Sequence, residues 1–192
     1  MRLVLATRNP HKVRELERLL EGVAIEPLPP NVVLPPEDGD SFAANARLKA
    51  RAAESALGRP TIADDSGIEA AALDGAPGIF SARFAGPDAT DAQNLARLRA
   101  EAPAGSGLRY VCVMAYAAPG EEERTFTGEC TGRLAGEARG AGGFGYDPAF
   151  VPDDIPDGRT MAELSDAEKD AISHRGRAAR ALLDWLRSER AA

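Results

Sequence analysis

Two adjacent carboxylates, Asp64 and Asp65, follow the short apolar run Thr61-Ile62-Ala63 and precede Ser66-Gly67. Strand side chains alternate faces, so no more than one of the pair can point the way Ile62 does. An unpaired buried carboxylate is costly by several kcal/mol. The stretch reads as a glycine turn that carries both acidic groups away from the core, where they would hold a hard cation or accept a proton. An Asx-type turn, in which both aspartates cap backbone amides, is the competing reading.

The cations give a second signal. Of 23 basic side chains, the only lysines are Lys12, Lys49 and Lys169. A compact ammonium meets a phosphate as a point charge, which a planar guanidinium does not reproduce. Those three positions are therefore candidate anion contacts, against the alternative of chance retention in an arginine-rich chain.

The elements that must position these groups are legible in part. Leu3 to Ala6 reads as a buried strand running into Thr7-Arg8-Asn9-Pro10-His11-Lys12. Asn9 suits a helix N-cap and Pro10 the first helical position, and Val13, Leu16, Leu19 and Leu20 recur at helical spacing. A helix N-terminus favours an anion. Lys12, in the first turn, opposes the helix dipole unless a negative ligand is present. The glycine-rich Walker pattern is absent. A proline-rich connection from Pro27 to Pro36 leads to Glu37-Asp38-Gly39-Asp40. That acidic cluster is either a helix-start preference or a source of a metal carboxylate. Ser41 to Leu57 reads as an alanine-rich helix closed by Gly58, with Asn45 and Lys49 on one stripe.

Beyond Gly67, Ile68 to Leu73 reads as a strand, Asp74-Gly75 as a turn and 75–83 as an ordered loop. Thr90 and Gln93 form a capping box ahead of a helix carrying Leu95 and Leu98. Tyr110 to Tyr116 and Arg124 to Thr131 flank Pro119-Gly120 as a hairpin. One strand–helix crossover followed by meandering strands predicts an α/β fold with a mixed sheet. In Gly140 to Pro148, Phe144 among glycines is placed either to stack on a planar ligand or to fill the core. Ser165 and Glu168 form a capping box that presents Lys169. Ser173-His174-Arg175-Gly176 interrupts the helix, and Ala179, Leu182, Leu183 and Leu186 mark the core face of the last one. His174 and Arg175 offer donors at that junction, to a ligand or to helix carbonyls.

Bulk properties narrow the class. The 192 residues, 44% hydrophobic, suffice for one domain or for two lobes sharing a cleft. A net charge of −7 argues against a polymeric nucleic acid as partner. No run approaches the roughly 18 apolar residues of a membrane span, and the start of the chain lacks signal-peptide architecture. The chain reads as cytoplasmic. Cys112 and Cys130 read as buried structural thiols.

Taken in order, Thr7-x-Asn9-x-x-Lys12, Asn45-Ala46-x-x-Lys49, Asp64-Asp65-Ser66-Gly67, Gly75-x-Pro77-Gly78-x-x-Ser81-x-Arg83, Phe144-Gly145-Tyr146-Asp147-Pro148 and Ser173-His174-Arg175 resemble the motifs of the non-canonical purine nucleoside triphosphate pyrophosphatases, the inosine triphosphate pyrophosphatase family. The similarity runs from Leu3 to Leu186 and departs at Ala44, where relatives often carry an acidic residue. The resemblance implies a single domain over 1–192, a mixed twisted sheet with flanking helices and two lobes around a central cleft. It implies hydrolysis of ITP, dITP or XTP to the monophosphate and pyrophosphate, Mg²⁺ as cofactor and a homodimer. Asp65 is then the catalytic carboxylate, as base or metal ligand, with Glu37 as second metal carboxylate and Asp38 or Asp40 as alternatives. Lys12, Lys49 and the turn of Thr7, Arg8 and Asn9 would meet the phosphates, and Ser66 would help position the substrate. Phe144 would stack on the base, Asp147 would accept a ring N–H, and His174 and Arg175 would favour a 6-oxo group; Pro10, His11, Gly145, Tyr146 and Lys169 would also contact the substrate. A Maf-like pyrophosphatase of pyrimidine or modified nucleotides, and a non-hydrolytic nucleotide sensor, are the competing functions. A haloacid-dehalogenase-type phosphatase would need an Asp-x-Asp turn that the chain lacks.

Overall fold

The run Leu3-Val4-Leu5-Ala6 is buried on both sides of the backbone, the pattern of an interior strand in a parallel sheet. In the computed structural model, which describes residues 1–189, it forms β1 (Arg2–Leu5), flanked in parallel by β2 (Ala24–Pro27) and β3 (Thr61–Ala70). Leu3 stands opposite Ile25 and Leu5 opposite Ile62. Parallel neighbours need crossovers, and helices α1 (Pro10–Leu19) and α2 (Phe42–Leu57) lie in them. Then follow α3 (Asp91–Glu101), β4 (Gly107–Ala117), β5 (Arg124–Leu134), β6 (Phe150–Pro152), α4 (Asp166–Ile172) and α5 (His174–Glu189). The six strands run in the order β2-β1-β3-β4-β5-β6, with β6 antiparallel to β5. This is the mixed α/β sheet expected from the sequence, with β4 and β5 as the sheet neighbours read as a hairpin.

The Asp64–Gly67 glycine turn is not formed. Residues 61–70 make one continuous strand, so Ile68 belongs to the same element as Ile62. The carboxylates stay in the strand because cations from other elements reach them, as described below.

The chain divides into two compact units, each assembled from separated segments. The first comprises Met1–Asp65, Cys112–Gly128 and the chain from Arg175, and the second Ser66–Val111 and Glu129–His174. Each has its own core. In the first, Leu3, Leu5, Leu16, Leu20, Ile62, Met114 and Tyr116 pack with Leu182 and Leu186 of α5. In the second, Ile68, Leu98, Leu108, Tyr110, Cys130, Tyr146, Phe150 and Met161 pack together. β5 alternates over its second half, with Cys130 and Leu134 inward and Glu129, Thr131 and Arg133 outward, as an antiparallel strand with one wet face should. Cys112 and Cys130 are buried free thiols. No helix among the described residues is long and apolar enough to cross a membrane.

Candidate active site

In the first unit, the alternation of β3 separates the two aspartates. Asp64 shares the face of Ile62 and meets α1 and α5, while Asp65 turns toward α2. Asp64 is completely buried, with Oδ2 lying 3.0 Å from the Lys12 ammonium and 3.3–3.4 Å from the Nη2 and Nε of Arg175. The other edge of that guanidinium donates to Glu15 Oε2 at 2.5 Å. Burial works against the Asp64 charge, but Lys12, Arg175 and Lys49 outweigh it and hold the carboxyl well below the usual range. The same burial and the Asp64 charge push the neighbouring Cys112 thiol up to about 12.

Asp65 is in the opposite condition. Burial raises it above the ordinary carboxylate range, Lys49 and Lys12 pull it down, and Glu37 pushes it up. Asn45 fixes its orientation: the fully buried amide donates from Nδ2 to Asp65 Oδ2 at 3.0 Å and accepts the Gly39 N–H on Oδ1 at 2.8 Å. A Cβ on Gly39 would stand 2.7 Å from that Oδ1, so a glycine lets the backbone come this close. The clamp ties the 37–40 segment to the aspartate. Lys49 donates to the Asp64 carbonyl at 2.6 Å and to Glu37, and lies 3.9 Å from Asp65 Oδ1. Its own burial opposes its charge, but Asp64, Asp65 and Glu37 raise its pKa all the same. Asp38 and Asp40 are exposed. Carboxylates Glu15, Glu37, Asp64 and Asp65 and cations Lys12, Lys49 and Arg175 thus make one network, negative by a single charge.

The segment entering α1 is local scaffolding around Lys12. Asn9 caps the helix through His11 N at 2.9 Å and Lys12 N at 3.3 Å, with Pro10 in the first turn. Thr7 Oγ1 accepts the Asn9 N–H at 3.2 Å. The His11 ring lies 2.8 Å from the Arg14 guanidinium. Arg8, expected among the phosphate contacts, donates to the carbonyls of Leu28, Pro29 and Val32 at 2.8, 2.6 and 2.9 Å, and so braces the proline-rich connection.

The second unit carries a cluster built around Asp147, which is buried. Its Oδ1 accepts from Tyr110 Oη at 3.1 Å, and its Oδ2 from Lys169 Nζ at 2.7 Å and Phe144 N at 2.9 Å. Expected from the sequence to accept a base N–H, this carboxylate is engaged by the protein. Gly143 adopts φ +67°, and a Cβ there would collide with the Asp147 side chain. Lys169 lies 5.3 Å from the centroid of the Phe144 ring, a cation–π distance, and Phe144 is half-buried rather than core. The Gly145 N–H meets Asp91 Oδ2 at 2.8 Å, and the Tyr146 hydroxyl donates to the Ser81 carbonyl at 2.8 Å. The His174 ring stacks on Tyr110 at 4.5 Å and 4°. Arg175, paired with His174 in the sequence reading as a base donor, lies in the first unit with its guanidinium on Asp64 and Glu15. Ser66 opens the second unit's share of β3, half-buried.

Sequence reasoning missed Glu15, Asn45 and Tyr110 as site residues and the anchoring part of Asp64. Glu15 had a signal, an acidic residue on the Leu16 side of an amphipathic helix three positions after Lys12. Asn45 sat within a quoted motif. Tyr110 read as an ordinary strand aromatic.

The Ham1 family model matches residues 3–185. A dITP/XTP pyrophosphatase of Symbiobacterium thermophilum is 48% identical over 189 residues, covering 96% of this chain and 94% of the relative. A solved Ham1 protein from Coxiella burnetii superposes with a TM-score of 0.85 at 39% identity, covering 98% of this chain and 99% of that one. A solved nucleoside-triphosphatase, dITP/XTP pyrophosphatase, from Mycobacterium abscessus gives a TM-score of 0.73 at 43% identity, covering 95% and 99%.

Proposed function

The chain belongs to the Ham1 family, and from that premise we propose that it hydrolyses non-canonical purine nucleoside triphosphates, dITP, XTP and ITP, to the monophosphate and pyrophosphate. The names of its relatives support the activity. The observation that carries the residue assignment is the division of labour in Asp64-Asp65: one carboxylate locked by Lys12 and Arg175, the other oriented by Asn45 beside Lys49 and Glu37.

In this reading Lys12 and Lys49 meet the triphosphate, helped by the positive end of the α1 dipole. The network is already negative by one charge, so a polyanion needs a further cation. Glu37 and Asp65 fit one: both are hard oxygen donors, and both already share the Lys49 ammonium. Two carboxylates suit a small divalent ion that completes its shell with phosphate oxygens and water. Mg²⁺ held there would neutralise phosphate charge and ease the departure of pyrophosphate. Asp65, held in one orientation by Asn45, orients the attacking water and is placed to accept its proton. The water oxygen bonds to phosphorus, and the α–β anhydride bond breaks with its electron pair going to pyrophosphate. Arg175 acts through Asp64 as a positioning residue.

The cluster of the second unit takes the base. Phe144 supplies a ring face. Lys169 offers N–H donors only, and the Asp147 carboxylate that it meets also accepts from Tyr110 Oη and Phe144 N. Such a pocket suits the 6-oxo acceptor of hypoxanthine and xanthine and leaves the 6-amino group of adenine without an acceptor. A homodimer and a cytoplasmic location are part of the same proposal. A panel of dITP, XTP, ITP, GTP, ATP and dTTP with Mg²⁺ tests it: kcat/KM for the first three should exceed that for ATP by about 10²-fold or more. Equal use of ATP, or no turnover of the first three, would overturn it.

A further inference from the structure

We propose that Tyr110 is the positioning residue of the base-binding cluster, an inference that rests on the function proposed above. One side chain reaches two parts of that cluster. Its hydroxyl donates to Asp147 Oδ1 at 3.1 Å, and its ring lies parallel to His174 at 4.5 Å. The ring also packs against Phe150, at 4.7 Å and 49°. Tyr110 is buried in β4, so it is a fixed reference on the sheet. Asp147 hands that reference on: its other oxygen holds the Phe144 N–H and the Lys169 ammonium, which lies over the Phe144 ring. Gly140, Gly143 and Gly145 all take positive φ in this segment, a backbone with little conformational preference of its own. The phenol–carboxylate bond therefore sets where Phe144 and Lys169 stand, and the ring stack sets the plane of His174. Sites hold substrate well when a supporting shell of this kind locks the contacting side chains.

Tyr110→Phe separates the two contacts by removing the hydroxyl and keeping the stack. With XTP as substrate, KM should rise about tenfold, the size of one hydrogen bond to a charged acceptor, while kcat stays within about twofold. Product inhibition locates the effect. Ki for inosine monophosphate should rise by a similar factor, and Ki for pyrophosphate should not move. Tyr110→Leu, which loses the stack as well, should raise KM further. If Tyr110→Phe is not recovered folded, replacing Tyr110 with 4-fluorophenylalanine, which keeps the ring and nearly the volume without a hydroxyl donor, takes the same measurements. Unchanged KM and Ki, or a fall in kcat at constant KM with a lowered melting temperature, would overturn the proposal. Wild-type protein that fails to hydrolyse XTP would instead overturn the function on which it rests.

Discussion

Replacing Asp64 with Asn removes a charge that two cations were folded around. The side chain is fully buried, with Lys12 at 3.0 Å and Arg175 at 3.3 Å. Asparagine fills the same space and still accepts hydrogen bonds, so packing is preserved and the loss is electrostatic. Breaking a buried ion pair from one side costs about 3–5 kcal/mol, and a chain of this size loses about 2–4 °C of melting temperature per kcal/mol. Together these give a drop of roughly 6–20 °C at pH 7. The pH dependence has a definite sign. The Asp64 carboxyl is held below its unfolded value, so its stabilisation is complete above about pH 4 and fades as acidification carries the pH toward the lowered folded value. Melting curves of the two proteins by circular dichroism should therefore differ most at neutral pH and converge in acid. A variant that melts within 2 °C of wild type at pH 7, or a gap that stays constant down to pH 2, would refute the anchoring assigned to Asp64.

The other aspartate behaves differently. Asp65→Asn should lower kcat by about 10²–10⁴-fold while the melting temperature changes little, because burial already disfavours that charge; steady-state kinetics beside a melting curve read both. Phe144→Ala should raise KM for XTP by about 5- to 150-fold, the worth of one stacked base, with kcat retained. Asn45→Ala should cost about 1–3 kcal/mol of stability and lower kcat. Gly39→Ala should reproduce the kcat loss with Asn45 itself unchanged, since its Cβ would press on Asn45 Oδ1 and shift the amide. Wild-type kinetics in both would dismiss the clamp.

What the sequence revealed was what its neighbours in the chain decide. The Asn9 cap with Pro10, the Ser41 and Gly58 ends of α2, and the capping boxes at Thr90 and Ser165 all formed as read, because each is satisfied within four residues. The Asp64–Gly67 turn did not form because the groups that neutralise Asp64 come from Lys12 and Arg175, far away along the chain. Locally, two carboxylates before a glycine look like a strand end; with cations supplied from α1, α2 and α5 they are tolerated inside one. The partners of Asp147, Tyr110 and Lys169, lie on other elements, and those of Arg8 are the carbonyls of Leu28, Pro29 and Val32, so neither set of contacts was legible from the neighbouring sequence. The three lysines stand out by composition alone, and each meets a carboxylate of the protein, Asp64, Glu37 and Asp147 respectively.

Product identity tests the central claim most directly. Phosphorus NMR of XTP turned over with Mg²⁺ should show xanthosine monophosphate and pyrophosphate appearing in equal amounts from the first time point, with no nucleoside diphosphate and no orthophosphate. Orthophosphate or diphosphate as the primary product would mean that a different bond is cleaved, and would contradict the roles given to Asp65, Lys12 and Lys49.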